Sequence, residues 1–197
     1  MKWGLIGLLI GVSISSTCLS QIVSRYNEPY PVVASKKGLQ VEMVDDALAL
    51  GVKHAALNIN LTALYVPTAD ERDVVFVHEG ETYRFRRSYL EKMDREIKLL
   101  SQAGVIVNLI VLSYASGRPE VDRVVLHPRY DTNAPNRLGA FNTVTPEGKK
   151  WFSACLSFLA ERWSRPDQQF GRVAGYIISN EVNSHWYWCN LGRATMT

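Results

Sequence analysis

The chain has 197 residues, 47% of them hydrophobic and 21% charged, which excludes a disordered or low-complexity polymer and sets one globular domain as the default. Its formal charge of +3 is too small, and its lysines and arginines too dispersed, for a nucleic-acid-binding face. The one cluster of arginines, Arg84, Arg86 and Arg87, sits beside a predicted turn and reads as solvated surface.

Residues 1–20 form a separate segment. Lys2 precedes an apolar stretch from Trp3 to Ile14, and small residues follow to Ser20, the pattern of a secretory signal peptide. The apolar core is shorter than the roughly 20 residues a membrane span requires. Export is therefore expected, with cleavage near Ser20 and a secreted or periplasmic product. A lipid-modified Cys18 is the alternative, although Ser15, Ser16 and Thr17 match a lipoprotein box poorly.

From residue 21 onward the elements alternate. Tyr30 to Ser35 reads as a short first strand, and Ser35-Lys-Lys-Gly38 as a loop. Val41, Val44 and Leu48 follow helical spacing as far as Gly51, a residue suited to the left-handed position that ends a helix. Ala55 to Asn60 is a second strand, with Asn58 and Asn60 near its carboxyl end. Val74–Val77 and Thr82–Phe85 then predict a β-hairpin inserted after that strand, turning at Glu79-Gly80. Ser88-Tyr-Leu-Glu91 has the spacing of a capping box, and the helix behind it carries Leu90, Met93, Ile97 and Leu100 on one stripe up to Gly104. Val105–Val111 is a third strand, apolar enough to be buried on both faces.

The stretch from Ser113 to Val144, with prolines at 119, 128 and 135, reads as a long irregular loop of the kind that is usually functional or disordered. Thr145 as N-cap and Pro146 at the first helical position open a further helix with Trp151, Cys155, Phe158, Leu159 and Trp163 on its apolar face. On that face Cys155 reads as a buried thiol. Val173 to Ile178 is a fourth apolar strand, and it runs directly into Asn180-Glu181. A carboxylate at the end of a buried strand, followed by His185, Trp186 and Trp188, suggests an active-site rim.

Strand and helix alternate with every strand apolar, which argues for βα units around a parallel sheet. No G-x-G-x-x-G follows the first strand, so a barrel is favoured over a doubly wound sheet. Four strands are half of the eight a (β/α)8 barrel needs. The expected fold is therefore α/β, the N-terminal half of a (β/α)8 TIM barrel over 21–197, truncated after its fourth strand. Unpaired sheet edges in such a half-barrel invite self-association. His54, His78, His127 and His185 show no ligand spacing, so neither metal nor cofactor is expected.

Tyr176-Ile-Ile-Ser-Asn-Glu-Val182 resembles the fourth-strand Asn-Glu signature of clan A glycoside hydrolases. Ala47 to Asn58 is similar to that clan's first helix running into its second strand. Ser35–Gln40, His54–Asn60 and Asn180–Trp188 are most similar to a bacterial domain of unknown function, family 5722, placed near the clan. The resemblance implies a carbohydrate substrate, retaining hydrolysis of O-glycosidic bonds, Glu181 as acid/base and Asn180 as hydrogen-bond donor to a sugar 2-hydroxyl. Trp186 and Trp188 would stack on sugar rings, while Asn183 or His185 would bind hydroxyls. Asn58 and Asn60 alternate along their strand, so as substrate-binding candidates both point inward and one reaches the pocket mouth. Otherwise they are buried, hydrogen-bonded amides, which is the favoured reading. The nucleophile is implied at the end of a seventh strand, so a four-strand chain is expected to be inactive by itself. A carbohydrate-binding barrel without catalysis is the alternative function.

Overall fold

The computed structural model describes residues 29–184 and 186–193. The expected leader and His185 lie outside them. In chain order the elements are β1 (Gly38–Gln40), α1 (Val44–Ala49), β2 (His54–Asn60), α2 (Leu61–Leu64), β3 (Val74–His78), β4 (Glu81–Phe85), α3 (Arg87–Gln102), β5 (Ile106–Tyr114), α4 (Pro119–Val125), β6 (Leu138–Gly139), α5 (Pro146–Arg162) and β7 (Gly175–Ile178). No helix among the described residues is long and apolar enough to cross a membrane.

The main sheet is parallel and sequential: β1 pairs with β2, β2 with β5, and β5 with β7. β6 runs antiparallel to the last residues of β5, and β3 with β4 forms a separate hairpin. The α/β architecture and the hairpin after the second strand are thus as the residue pattern predicts. The sheet stays open, with β1 and β7 at its edges and no closed barrel among the described residues.

Alternation along the strands sorts their side chains. Ala55, Leu57 and Ile59 of β2 and Val107, Leu109 and Val111 of β5 enter one core with the apolar stripes of α1, α3 and α5. Leu90, Met93, Ile97 and Leu100 of α3 are all buried, as are Trp151, Cys155, Phe158 and Leu159 of α5. Burial pushes the Cys155 thiol pKa up and keeps it an inert apolar filler. The opposite face carries Ala56, Asn58, Asn108, Ile110 and Ile177, none of them in that core. Parallel sheets are normally covered on both faces; here the second face is open, with Ile177 49% exposed.

Local chemistry accounts for the boundaries. Thr145 Oγ1 accepts the Gly148 N–H at 3.1 Å, and Pro146 occupies the first turn, so α5 starts where its cap requires. Glu79 (φ 50°) and Gly80 (φ 78°) make the doubly left-handed turn that a two-residue hairpin needs. Gly51 and Gly104, at φ 67° and 72°, end the first and third helices.

Five expectations fail. The fourth strand is not buried: Ile177 and Ile178 of β7 are 49% and 46% exposed, because β7 lies at an edge of the sheet and nothing among the described residues covers the second sheet face. Tyr30–Ser35 is not a strand, because Tyr30 is engaged elsewhere: its hydroxyl donates to the Val173 carbonyl at 2.6 Å and its ring lies under the Arg172 guanidinium. The first strand is Gly38–Gln40, inside and beyond the expected loop, where a Cβ at Gly38 would already stand 3.0 Å from that of His54. Ser88 is no N-cap. That position is Arg86, whose Nε and Nη2 donate to the Ala63 and Tyr65 carbonyls at 3.0 and 3.3 Å, and Ser88 lies inside the helix. Finally, 113–144 is not wholly irregular. It holds α4, which buries Val121, Val124 and Val125, and β6.

Gly171 sets the approach to β7. At φ 85° it lies against the α3 backbone, and a Cβ would meet Lys98 N and Cα at 2.7 Å. Gly171→Ala is expected to lose at least the roughly 1–3 kcal/mol of a strained backbone, read as a lower urea midpoint with an unchanged slope.

Candidate active-site rim

The turn that follows β7 is unusual in its backbone. Ser179 (φ 73°) and Glu181 (φ 38°) are both left-handed without being glycine. Such conformations cost energy and cluster at functional sites. Ser179 is buried and held at two points, its N–H on the Val111 carbonyl at 3.0 Å and its hydroxyl on Cys189 Sγ at 3.1 Å. Continuing the β5–β7 register by one residue sets Ser179 level with Leu112, and so with Asn60 at the end of β2. Glu181 and Asn183 are exposed and Asn180 is half-buried. The Glu181 carbonyl accepts the Ser184 N–H at 2.7 Å, closing the turn beneath its side chain.

Trp186 and Trp188 follow in the next turn, with differing surroundings. Trp186 donates its indole N–H to Asp131 Oδ2 at 3.1 Å, and the Arg193 guanidinium covers its ring at 4.3 Å. Trp188 is 42% exposed and Tyr187 49%. Of the two tryptophans singled out for sugar stacking, Trp186 is thus already engaged by protein groups and Trp188 is the more open.

Asp131 and Asn190 were not legible as rim residues. Asn190, fully buried, donates Nδ2–H to the Asp131 carbonyl at 2.8 Å and accepts the Asp131 N–H on Oδ1 at 3.2 Å. The Ala140 N–H reaches the Asn190 carbonyl at 3.0 Å. These bonds stitch the loop before β6 to the loop after β7. Hydrogen bonds from the Asn133 backbone N–H and the Trp186 indole hold the Asp131 carboxyl below its ordinary range.

Asn58 and Asn60 part company despite their shared alternation. Asn58 is exposed on the open sheet face, accepting from Gln40 Nε2 at 3.1 Å. Asn60 caps α2 through Oδ1 and the Thr62 N–H at 3.0 Å, and its own N–H donates to the Tyr89 hydroxyl at 2.8 Å. β2 is separated from β7 by β5 alone, so the two strand ends stand about 10 Å apart at ordinary strand spacing. The carboxyl ends of β2, β5 and β7 therefore share one edge of the sheet, with Asn60 at one side and Asn180-Glu181 at the other.

Residues 29–197 match the model of a family described as "Family of unknown function (DUF5722)". The chain belongs to this family. No curated protein and no solved structure matches it. The DUF5722 match takes in all of β1 to β7, and with them the whole rim. Among the described residues of this DUF5722 domain, no group of three or more His, Cys, Asp or Glu side chains is disposed to hold a metal ion.

Proposed function

We propose that this DUF5722 domain belongs to an exported retaining glycoside hydrolase acting on a poly- or oligosaccharide, with Glu181 as the acid/base and Asn180 as a substrate hydrogen-bond donor. The observation that supports this most directly is the location of Asn180-Glu181. The pair directly follows the fourth of four sequential parallel strands, in a turn whose backbone is left-handed at Ser179 and Glu181. Helical stripes packed on one face of such a sheet also agree with an N-terminal half of a (β/α)8 barrel.

The chemistry requires a second carboxylate about 5–5.5 Å from the first, as nucleophile. By resemblance it belongs at the end of a seventh strand, whereas the described residues contain four parallel strands. Turnover is accordingly tested on the full-length protein, by comparing Glu181→Gln with wild type across a panel of glycosides. Full activity in the variant removes Glu181 from the reaction. The second reading, a carbohydrate-binding domain without catalysis, is favoured by the exposure of Tyr187 and Trp188. It requires glycan binding that survives Glu181→Gln and is lost on Trp188→Ala.

A further inference from the structure

A cleft of about 540 Å³ opens beside the end of β2, where Asn60, the first turns of α3 and the Ser116–Arg118 loop meet. Its charge is one-sided. Arg86, Lys92 and Arg118 line it together with Tyr89 and Tyr114, and no carboxylate does. The first turn of α3 also lacks acidic residues, so its positive end adds to the same field.

Each cation is differently held. Arg86 is half-buried and anchored by two of its five N–H groups on the Ala63 and Tyr65 carbonyls, which fixes the guanidinium at the cleft wall. Lys92 shares its charge with Glu96 at 3.2 Å. The Arg118 side chain has no hydrogen-bond or ion-pair partner among the described residues, yet the loop that presents it is tightly organised. Asp122 accepts the Ser116 N–H at 2.8 Å, the Ser116 hydroxyl at 2.7 Å and the Gly117 N–H at 3.0 Å, and Ser116 Oγ in turn accepts the Arg118 N–H. The Asp122 carboxylate is thus committed to backbone and hydroxyl donors. A neighbouring cleft shares Arg86, Ser88 and Arg118 and adds Arg72 and Arg87 together with three carboxylates, Asp70, Asp73 and Glu91. Its Asp70 is paired with Arg72 at 2.6 Å.

Arg86 and Arg118 line the cleft without a carboxylate partner, and Lys92 beside them is only partly neutralised by Glu96 at 3.2 Å, so an oxyanion placed among them gains charge-assisted hydrogen bonds. The volume falls within the roughly 300–1,000 Å³ of small-molecule sites, far beyond a lone sulfate or phosphate. The cleft thus has room for the anion to be one group of a larger ligand, with Tyr89, Tyr114 and Asn60 beside it. We propose that this cleft binds the carboxylate or sulfate group of an acidic saccharide through Arg86, Lys92 and Arg118. The charge follows from the cleft alone; the saccharide rests on the carbohydrate reading above.

Calorimetry on the full chain tests this with oligomers of galacturonic acid, glucuronic acid and sulfated galactose, each against its neutral counterpart, and with inorganic sulfate. The expected result is that at least one charged oligomer binds ten-fold or more tightly than its neutral counterpart. That advantage shrinks as salt is raised and disappears in Arg118→Ala/Lys92→Ala, whose circular dichroism is unchanged. Arg86 is left intact because it also holds backbone carbonyls. The proposal is overturned if no charged oligomer exceeds its counterpart, if the advantage survives the double variant, or if sulfate binds as well as any saccharide. Glu181→Gln, titrated alongside, keeps the charge preference whether or not it abolishes turnover, so failure of the hydrolase reading and failure of the acidic-ligand site give different results.

Discussion

Asp94→Ala is expected to lower stability by about 3–5 kcal/mol, the usual cost of removing one partner from a buried ion pair. Asp94 lies on α3 and receives Arg162 Nε and Nη2 at 2.9 and 2.6 Å, while the Trp163 indole donates to the same carboxylate at 3.0 Å. The two charged side chains are only 10% and 12% exposed. Arg162 is further enclosed by Phe170, 3.6 Å from its carbon centre to the ring. Without Asp94 the guanidinium keeps its charge in a largely buried position, and a fully buried indole N–H loses its acceptor. At the 2–4 °C per kcal/mol usual for a domain of this size, the melting point should fall by roughly 6–20 °C. Asp94→Leu combined with Arg162→Met should recover part of the loss, since replacing both charges with apolar groups is often neutral or stabilising while the Trp163 indole N–H stays without its acceptor. A double variant as unstable as Asp94→Ala would mean that the pair is not what Asp94 contributes.

On the proposed hydrolase reading, replacing Glu181 by Gln in the full-length protein should reduce kcat on natural glycosides by about 10²–10⁴-fold, the range that general acid–base catalysis supplies. The amide retains the shape of the turn, but has no proton to give the leaving oxygen and cannot activate water afterwards. With a dinitrophenolate leaving group, which departs without protonation, the first step is spared while the second remains slow. One equivalent of phenolate should then appear as a burst before a slow steady state, the kinetic sign of an accumulated covalent intermediate. An equal loss on both substrates, with no burst, would assign Glu181 a structural role. The melting temperature separates these outcomes from misfolding, because Glu181 is exposed and Gln adopts its left-handed backbone at similar cost.

The elements that sequence revealed are those decided within a few residues. Thr145-Pro146 marks the start of α5 because cap and ring act locally, and Glu79-Gly80 announces the hairpin for the same reason. α4 escaped because charged residues at 118, 120, 122 and 123 leave a stripe of only three valines, whose burial depends on packing partners distant in the chain. The capping spacing at Ser88 misled because Arg86 finds carbonyls more than 20 residues away, a tertiary contact that local spacing cannot report. At the rim, Asn180-Glu181 was legible as polar chemistry terminating an apolar strand. Asp131 and Asn190, 59 residues apart, were not, nor was the convergence of Arg86, Lys92 and Arg118 from separate parts of the chain.

The Asp131–Asn190 seam has a thermodynamic consequence. Two loops are joined by two hydrogen bonds through the buried Asn190 amide, and the Asn190 carbonyl takes a third from Ala140. Substitutions on opposite sides of the seam, Asp131 and Trp188 for example, should therefore fail to add in ligand affinity, with interaction energies of about 0.5 kcal/mol or more in a double-mutant cycle. The rim responds as one cooperative unit.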